Sequence, residues 1–374
     1  MSFNISELAL IAKRENNNKR KYLIVNPLQG KHMPVSPSKA AGLFDQLSQK
    51  IKDHVKCWEG RTLVISFAET ATAIGAFAAF EIKSDFYIQT TREDLKGDYI
   101  DFVEAHSHAT EQKLYLKGLK DILGKVENII FVEDEITTGS TILRLVERLL
   151  QISGSKKFKF AAASILNGMS AENIEKFKTF GIDVVYVNKI LNSGFEELLD
   201  SYEYLEADNK VSCLEAEKTE FFECKGYVNP RYAVNSLSYG NTCRKIAEDF
   251  VEKYSVENCD SLLVLGTEEF MYPALITALE FEKKNRGLNV KFHATTRSPI
   301  LAGLSEGYPI FLRREIRSPY NIERVTYVYN LVKYDRVIIA TDAETKNSYG
   351  IGTIIGALTE AGCKNIDVCG WVDR

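Results

Sequence analysis

Residues 126–132 read VENIIFV, an apolar run of the kind that a strand buried on both faces of a parallel sheet requires. Polar residues follow from Glu133 to Thr141. Ile142, Leu145, Val146, Leu149 and Leu150 then recur at i, i+3, i+4, i+7 and i+8, which predicts an amphipathic helix closed by Gly154. The next apolar strand begins over 158–165. An earlier stretch has the same order, with a strand at 62–66, a polar loop at 68–72 and an alanine-rich helix starting over 73–80. The texture returns late in the chain, with apolar runs at 262–265 and 337–339 and a helix carrying Ile351, Ile354, Ile355 and Leu358. Such alternation predicts an α/β fold with a largely parallel sheet.

A chain of 374 residues points to two domains, on a prior of about 150 residues per domain. The alternation breaks over 196–224, an acidic stretch that reads as a linker with one helix, so the expected domains are 1–195 and 225–374. With 45% apolar and 26% charged residues the composition excludes a disordered chain. A net charge of -4 argues against general nucleic-acid binding, which rests on clustered Lys and Arg. The one dense basic run, Lys13, Arg14, Lys19, Arg20 and Lys21, reads as a solvated connector. No segment approaches the roughly 20 apolar residues that cross a bilayer, so no membrane partner is expected. The start places Ile5, Leu8 and Ile11 at helical spacing but includes Glu7 and lacks a cleavage pattern, which favours a cytoplasmic location. Seven scattered cysteines without a CxxC pair read as reduced thiols, and no protein-held metal site is expected.

The segment from Glu133 to Thr141 carries the chemistry. A strand that delivers two acids, then a Thr/Gly/Ser loop, then a helix N-terminus suits a phosphorylated sugar. Loop amides and the helix dipole hold the phosphate, and Thr137, Thr138, Ser140 and Thr141 add hydroxyl donors. Gly139 permits the tight loop. Glu133 and Asp134, one sugar-length away, can accept hydrogen bonds from a cis-diol, so the spacing suggests a ribose 5-phosphate. An acidic turn with an N-cap box is the plainer reading.

FVEDEITTGST resembles the phosphoribosyl-diphosphate (PRPP) motif of type I phosphoribosyltransferases. The resemblance implies a Rossmann-like core of five parallel strands under a flexible hood. It places Glu133 and Asp134 on the ribose hydroxyls and Thr137, Thr138, Gly139, Ser140 and Thr141 on the 5-phosphate. It implies a pyrophosphate loop at Ala68, Glu69, Thr70 and Ala71, where a helix cap by Thr70 or Thr72 is the alternative. Arg92 would hold the leaving pyrophosphate, with a surface ion pair as its alternative. The polar stretch between Arg92 and Leu114, with Lys96, His106 and His108, reads as too polar for a strand and fits a mobile loop over PRPP. Its histidines would donate hydrogen bonds or stay solvated. Mg2+ would arrive bound to PRPP oxygens and water.

Finer matches carry the resemblance across most of the chain, to phosphoribosyltransferases fused to a C-terminal TRSP domain beside tellurium-resistance stress genes. These are GKHMPV at 30–35, FAETATAIG, TTRE, HSHA, NPR at 229–231, VLGTEEFMYP at 264–273 and TTRSPI at 295–300. That subgroup implies synthesis or salvage of a nucleotide-like metabolite from PRPP and a nucleobase-like acceptor, with a homodimer suggested by family analogy alone. Its rivals are a PRPP-binding regulator without turnover and the reverse pyrophosphorolysis of a nucleotide.

The two halves also correspond to each other. Val25-Asn26-Pro27 reappears at 228–230 with an offset of 203, Glu69 corresponds to Glu269 at 200, Thr90-Thr91-Arg92 to 295–297 at 205, and Asp134 to Asp342 at 208. The second domain is therefore expected to be a diverged phosphoribosyltransferase-like fold. Its TTGST counterpart is Thr345-Lys346-Asn347-Ser348-Tyr349, so it should have lost PRPP chemistry while keeping a cleft of Glu268, Glu269, Arg297, Asp342 and Glu344. Arg297-Ser-Pro and Arg317-Ser-Pro could instead be interface turns.

Overall fold

The computed structural model describes residues 4–15, 20–102, 112–154, 156–191, 194–205, 211–214, 219–345 and 348–373. Helix α1 (Ile5–Leu8) and strands β1 (Leu10–Lys13) and β2 (Tyr22–Val25) precede the long helix α2 (Pro37–Val55). Then come β3 (Thr62–Ser66), α3 (Ala71–Glu81), β4 (Phe86–Gln89), β5 (Tyr99–Asp101), β6 (Lys113–Tyr115) and α4 (Leu119–Leu123). Next are β7 (Asn128–Ile136), α5 (Ser140–Ile152), β8 (Lys159–Asn167), α6 (Ala171–Thr179), β9 (Ile182–Lys189) and α7 (Phe195–Asp200). The later elements are β10 (Phe221–Lys225), β11 (Val234–Asn235), α8 (Ser236–Lys253), β12 (Ser261–Gly266), α9 (Met271–Lys284) and β13 (Asn289–Ala294). The chain ends with β14 (Arg313–Arg317), β15 (Val325–Tyr329), β16 (Arg336–Thr341), α10 (Tyr349–Glu360) and β17 (Ile366–Val372). Among the described residues, no helix is long and apolar enough to cross a membrane.

Two compact units interleave in sequence. The first unit comprises residues 41–191 and 228–242, and the second comprises 1–40, 192–227 and 243–374. In the first unit the sheet order is β11-β4-β3-β7-β8-β9, with β4, β3, β7, β8 and β9 parallel and β11 antiparallel to β4. Apolar residues of β3 and β7 (Leu63, Ile65, Ile129, Phe131) pack against the stripe of α5 (Ile142, Leu145, Val146, Leu149). Helix α3 lies close on β3, since a Cβ at Gly75 would meet the Ser66 Cβ at 2.2 Å.

The second unit repeats this plan. Its sheet order is β10-β17-β16-β12-β13, all parallel, so β13-β12-β16-β17 reproduces β4-β3-β7-β8. The fifth place differs, because β9 closes its repeat whereas β10 precedes the strands it joins. The outer edge is met by the leading segment of the other repeat in both cases. Val234 of β11 pairs with Tyr87 of β4, and Val35 pairs with Phe292 of β13.

Several expectations are corrected. Strand β7 runs four residues past the apolar run, through Glu133, Asp134 and Glu135, because β8 is equally long and pairs Glu133 with Ser164 and Glu135 with Leu166. The stretch expected to be a loop contains β5 and the start of β6, an antiparallel ribbon whose Ile100 and Leu114 enter the core. Polarity alone hides a ribbon that has one apolar face. The N-terminal helix stops at Leu8, and Leu10–Lys13 pair with β2 instead. Within the expected linker at 196–224, β10 begins at Phe221 and joins β17 in the sheet.

Two buried histidines give the second unit a pH dependence, the pKa of His293 being lowered by desolvation as that of His32 is. His32 is fully buried, and desolvation, with Lys31 and His293 nearby, holds its pKa well below the ordinary 6.5. The unfolded chain therefore takes up a proton near pH 6.5 that the folded chain refuses. Stability contributed by neutral His32 is complete above that pH and lost as pH falls towards the depressed native value. Thermal unfolding of the wild type should show a Tm that drops between pH 7 and pH 5, and His32→Gln should flatten that drop.

Candidate active site

Three loops leave the carboxyl ends of adjacent strands in the first unit. The chain order across the five parallel strands reverses at β3, with β4 on one side and β7 on the other, so the crevice outside these ends is the topological switch point. In register, Ser66 lies beside Gln89 and Val132. The loop at 67–72, the segment at 90–92 and the acids from Glu133 onward are thereby brought side by side.

The loop after β3 is closely held. The Ala68 N-H donates to Thr90 Oγ1 at 2.8 Å, the Gln112 side-chain amide donates to the Ala68 carbonyl at 3.1 Å, and the Thr72 hydroxyl donates to the Glu69 carbonyl at 3.0 Å. The Ala68-Glu69 peptide is cis. Ala68, Glu69, Thr70 and Ala71 are all buried, and α3 starts at Ala71 behind them. Thr70 makes no side-chain cap bond, so the cap alternative finds no support there.

The loop after β7 is more open. Glu133, Asp134, Thr137, Gly139 and Thr141 are half-buried, and Thr138 and Ser140 are exposed. Gly139 caps α5 at φ +74, and a Cβ there would meet the Phe177 ring at 2.3 Å. Thr138 Oγ1 accepts from the Ser140 N-H at 3.3 Å. At this end of α5 the first-turn amides and the helix dipole favour an anion.

Beside the loop at 67–72 and the segment at 90–92 stands the β5-β6 ribbon. Thr91 and Lys113 exchange backbone hydrogen bonds at 2.9 and 2.8 Å, so the ribbon is anchored directly beside Arg92. Lys113 is buried and pairs with Asp94, whose carboxylate raises the lysine pKa. The Leu95 N-H donates to the Tyr115 hydroxyl, which donates to the Glu93 carbonyl at 3.2 Å. Arg92 is half-buried. Lys96 is exposed, and its carbonyl accepts from the Tyr232 hydroxyl at 2.9 Å. His106 and His108 lie outside the described residues. Sequence reasoning placed Lys113 in the mobile loop and missed Gln112 and Tyr115, because a buried lysine beside a tyrosine has no periodic signature.

The second unit repeats four elements of this framework. Thr295 N donates to the Gly266 carbonyl as Thr90 N does to that of Ser66, and Glu268 N donates to Thr295 Oγ1 at 3.0 Å as Ala68 N does to Thr90. Thr296 exchanges backbone bonds with Tyr327 as Thr91 does with Lys113. Tyr329 accepts from the Ile300 N-H and donates to the Ser298 carbonyl, the roles that Tyr115 plays with Leu95 and Glu93. What fills the framework differs. Glu268, at φ +47, accepts from Arg297 Nε at 2.6 Å, Arg324 Nη1 at 3.1 Å and the Ser318 hydroxyl at 2.5 Å. Glu269 lies 3.7 Å from Arg297. Asp342 accepts from the Tyr320 hydroxyl at 2.6 Å, and Glu344 is exposed. The structure thus joins Glu268, Glu269 and Arg297 in one cluster. Ser318 of Arg317-Ser-Pro belongs to that cluster too, a role that sequence spacing gave no reason to expect.

Residues 8–189 match the model of a phosphoribosyl transferase family, and residues 231–358 match that of the TRSP domain C-terminal to it. No curated protein matches the chain. Among solved structures, an adenine phosphoribosyl transferase from Trypanosoma brucei in complex with AMP, pyrophosphate and ribose-5-phosphate is similar at 13% identity and a TM-score of 0.40. That likeness covers 56% of this chain and 86% of that one. The adenine phosphoribosyltransferase of Leishmania tarentolae is similar at 14% identity and a TM-score of 0.35, over 50% and 85% of the two chains. That of Giardia lamblia, complexed with 9-deazaadenine, is similar at 15% and 0.34, over 48% and 93%.

Proposed function

From a chain that belongs to the family joining a phosphoribosyl transferase domain to a C-terminal TRSP domain, we propose a Mg2+-dependent enzyme that moves ribose 5-phosphate between PRPP and a nucleobase-like acceptor. The observation that carries this reading is the convergence of the loops at 67–72, 90–92 and 133–141 on one switch point of the sheet. There the loop at 137–141 takes the 5-phosphate, Glu133 and Asp134 take the ribose hydroxyls, and the loop at 68–71 takes the pyrophosphate. The C1-oxygen bond to pyrophosphate breaks as the C1-nitrogen bond to the acceptor forms, through an oxocarbenium-like state. Arg92 binds the departing charge as it develops. Half-buried carboxylates at a strand end are hard oxygen donors that suit hydrated Mg2+, which supplies further charge neutralisation when it arrives with the diphosphate. Residues 1–195 would carry this chemistry, with 225–374 as the diverged second repeat.

The test is incubation with Mg2+, PRPP and a pool of nucleobases and metabolites, with ribose-5-phosphate adducts read by mass spectrometry. An adduct is expected. Neither adduct nor nucleotide pyrophosphorolysis, despite tight PRPP binding, would instead mark a sensor. Arg92→Ala should raise the KM for PRPP about 10-fold to 100-fold, the scale of one lost charge-assisted hydrogen bond of ~1.5–3 kcal/mol. An unchanged KM in steady-state kinetics would remove Arg92 from the site.

A further inference from the structure

We propose that Glu268 is a built-in plug, whose carboxylate occupies in the second repeat the place equivalent to the pyrophosphate site proposed beside Ala68 in the first. This rests on reading the loop at 67–72 as the pyrophosphate loop. The two positions are equivalent by their bonds, since each backbone N-H donates to the threonine that starts the next segment, at 2.8 Å for Ala68 and 3.0 Å for Glu268. Ala68 has only a methyl group. Glu268 projects a carboxylate onto two guanidinium groups and a hydroxyl, the donor set that would otherwise hold a phosphate oxyanion.

Burial explains why the plug holds. The Glu268 side chain is 0% exposed and that of Arg297 only 7%, so neither charge could stay there without a partner. Arg324, 21% exposed, forms the solvent edge of the cluster and the way in for an anion once the carboxylate is gone. The nearby acid is also committed, because Tyr320 donates to Asp342. The second repeat is satisfied by its own side chains, whereas the equivalent position of the first repeat, Ala68, carries no carboxylate. Removal of the plug therefore exposes a site for inorganic pyrophosphate.

The experiment titrates the full chain with pyrophosphate and Mg2+ by calorimetry and follows Tm in formate. The wild type should bind one pyrophosphate per chain and Glu268→Ala two. Formate should raise the lowered Tm of Glu268→Ala, beyond the effect of sodium chloride at equal ionic strength, and leave the wild type unmoved. A single site in the variant together with no formate response would overturn the plug, as would two sites in the wild type. No site in the wild type and one in Glu268→Ala would refute the pyrophosphate reading of the first repeat while the plug stands. Should Glu268→Ala fail to fold, the reverse change decides. Ala68→Glu should place a carboxylate beside Arg92 and weaken pyrophosphate binding at least about tenfold, and full affinity in that folded variant would overturn the proposal.

Discussion

Gly139→Val is expected to lower PRPP turnover by about 1,000-fold or more, the scale of ~4 kcal/mol, and to lower Tm by ~5–15 °C. Gly139 holds φ +74 at the start of α5, where a β-branched residue is strained at once, and its place for a Cβ is taken by the Phe177 ring at 2.3 Å. Phe177 is itself fully buried in the first unit's core, so it cannot swing away. Left-handed strain of ~1–2 kcal/mol and overpacking of ~1–3 kcal/mol add to the estimate. The loop must then shift, and with it the amides proposed to face the 5-phosphate. Differential scanning fluorimetry with and without PRPP, beside steady-state kinetics, checks both halves. Retained turnover in Gly139→Val would mean that the 5-phosphate sits elsewhere.

Asp134→Asn should cost about 100-fold to 1,000-fold in kcat/KM for the true acceptor. The substitution keeps the shape and removes the charge, so the loss combines a charge-assisted hydrogen bond to the diol of ~1.5–3 kcal/mol with weaker stabilisation of positive charge at C1. Tm should stay within about a degree, because Asp134 is half-buried at a strand end and lies outside the packed core. Turnover equal to that of the wild type would show that the acid pair does not bind ribose.

The sequence alone determined the class of the fold and the family the chain resembles. Apolar runs at 126–132 and 62–66 mark strands because burial on both faces of a parallel sheet leaves no room for polar alternation, and the α5 stripe marks its helix for the same reason. The TTGST loop, proposed to hold the 5-phosphate, was legible because a phosphate needs a glycine and hydroxyls within a few consecutive residues, which local order can encode. Offsets near 200 between the halves were also visible, since corresponding loops carry the same residue types.

Only tertiary structure decided which loops share a crevice and what fills it. Strands β3, β4 and β7 are neighbours across long stretches of sequence, and no local pattern states that Gln89 and Val132 flank Ser66. The same limit hid the exchange of leading segments, because edge pairing such as Val234 with Tyr87 depends on backbone groups that every residue carries. It also hid the plug. Glu268 reads in sequence as one more acid of a cleft, and only the convergence of Arg297, Arg324 and Ser318 on its buried carboxylate shows that the place of a ligand is already taken.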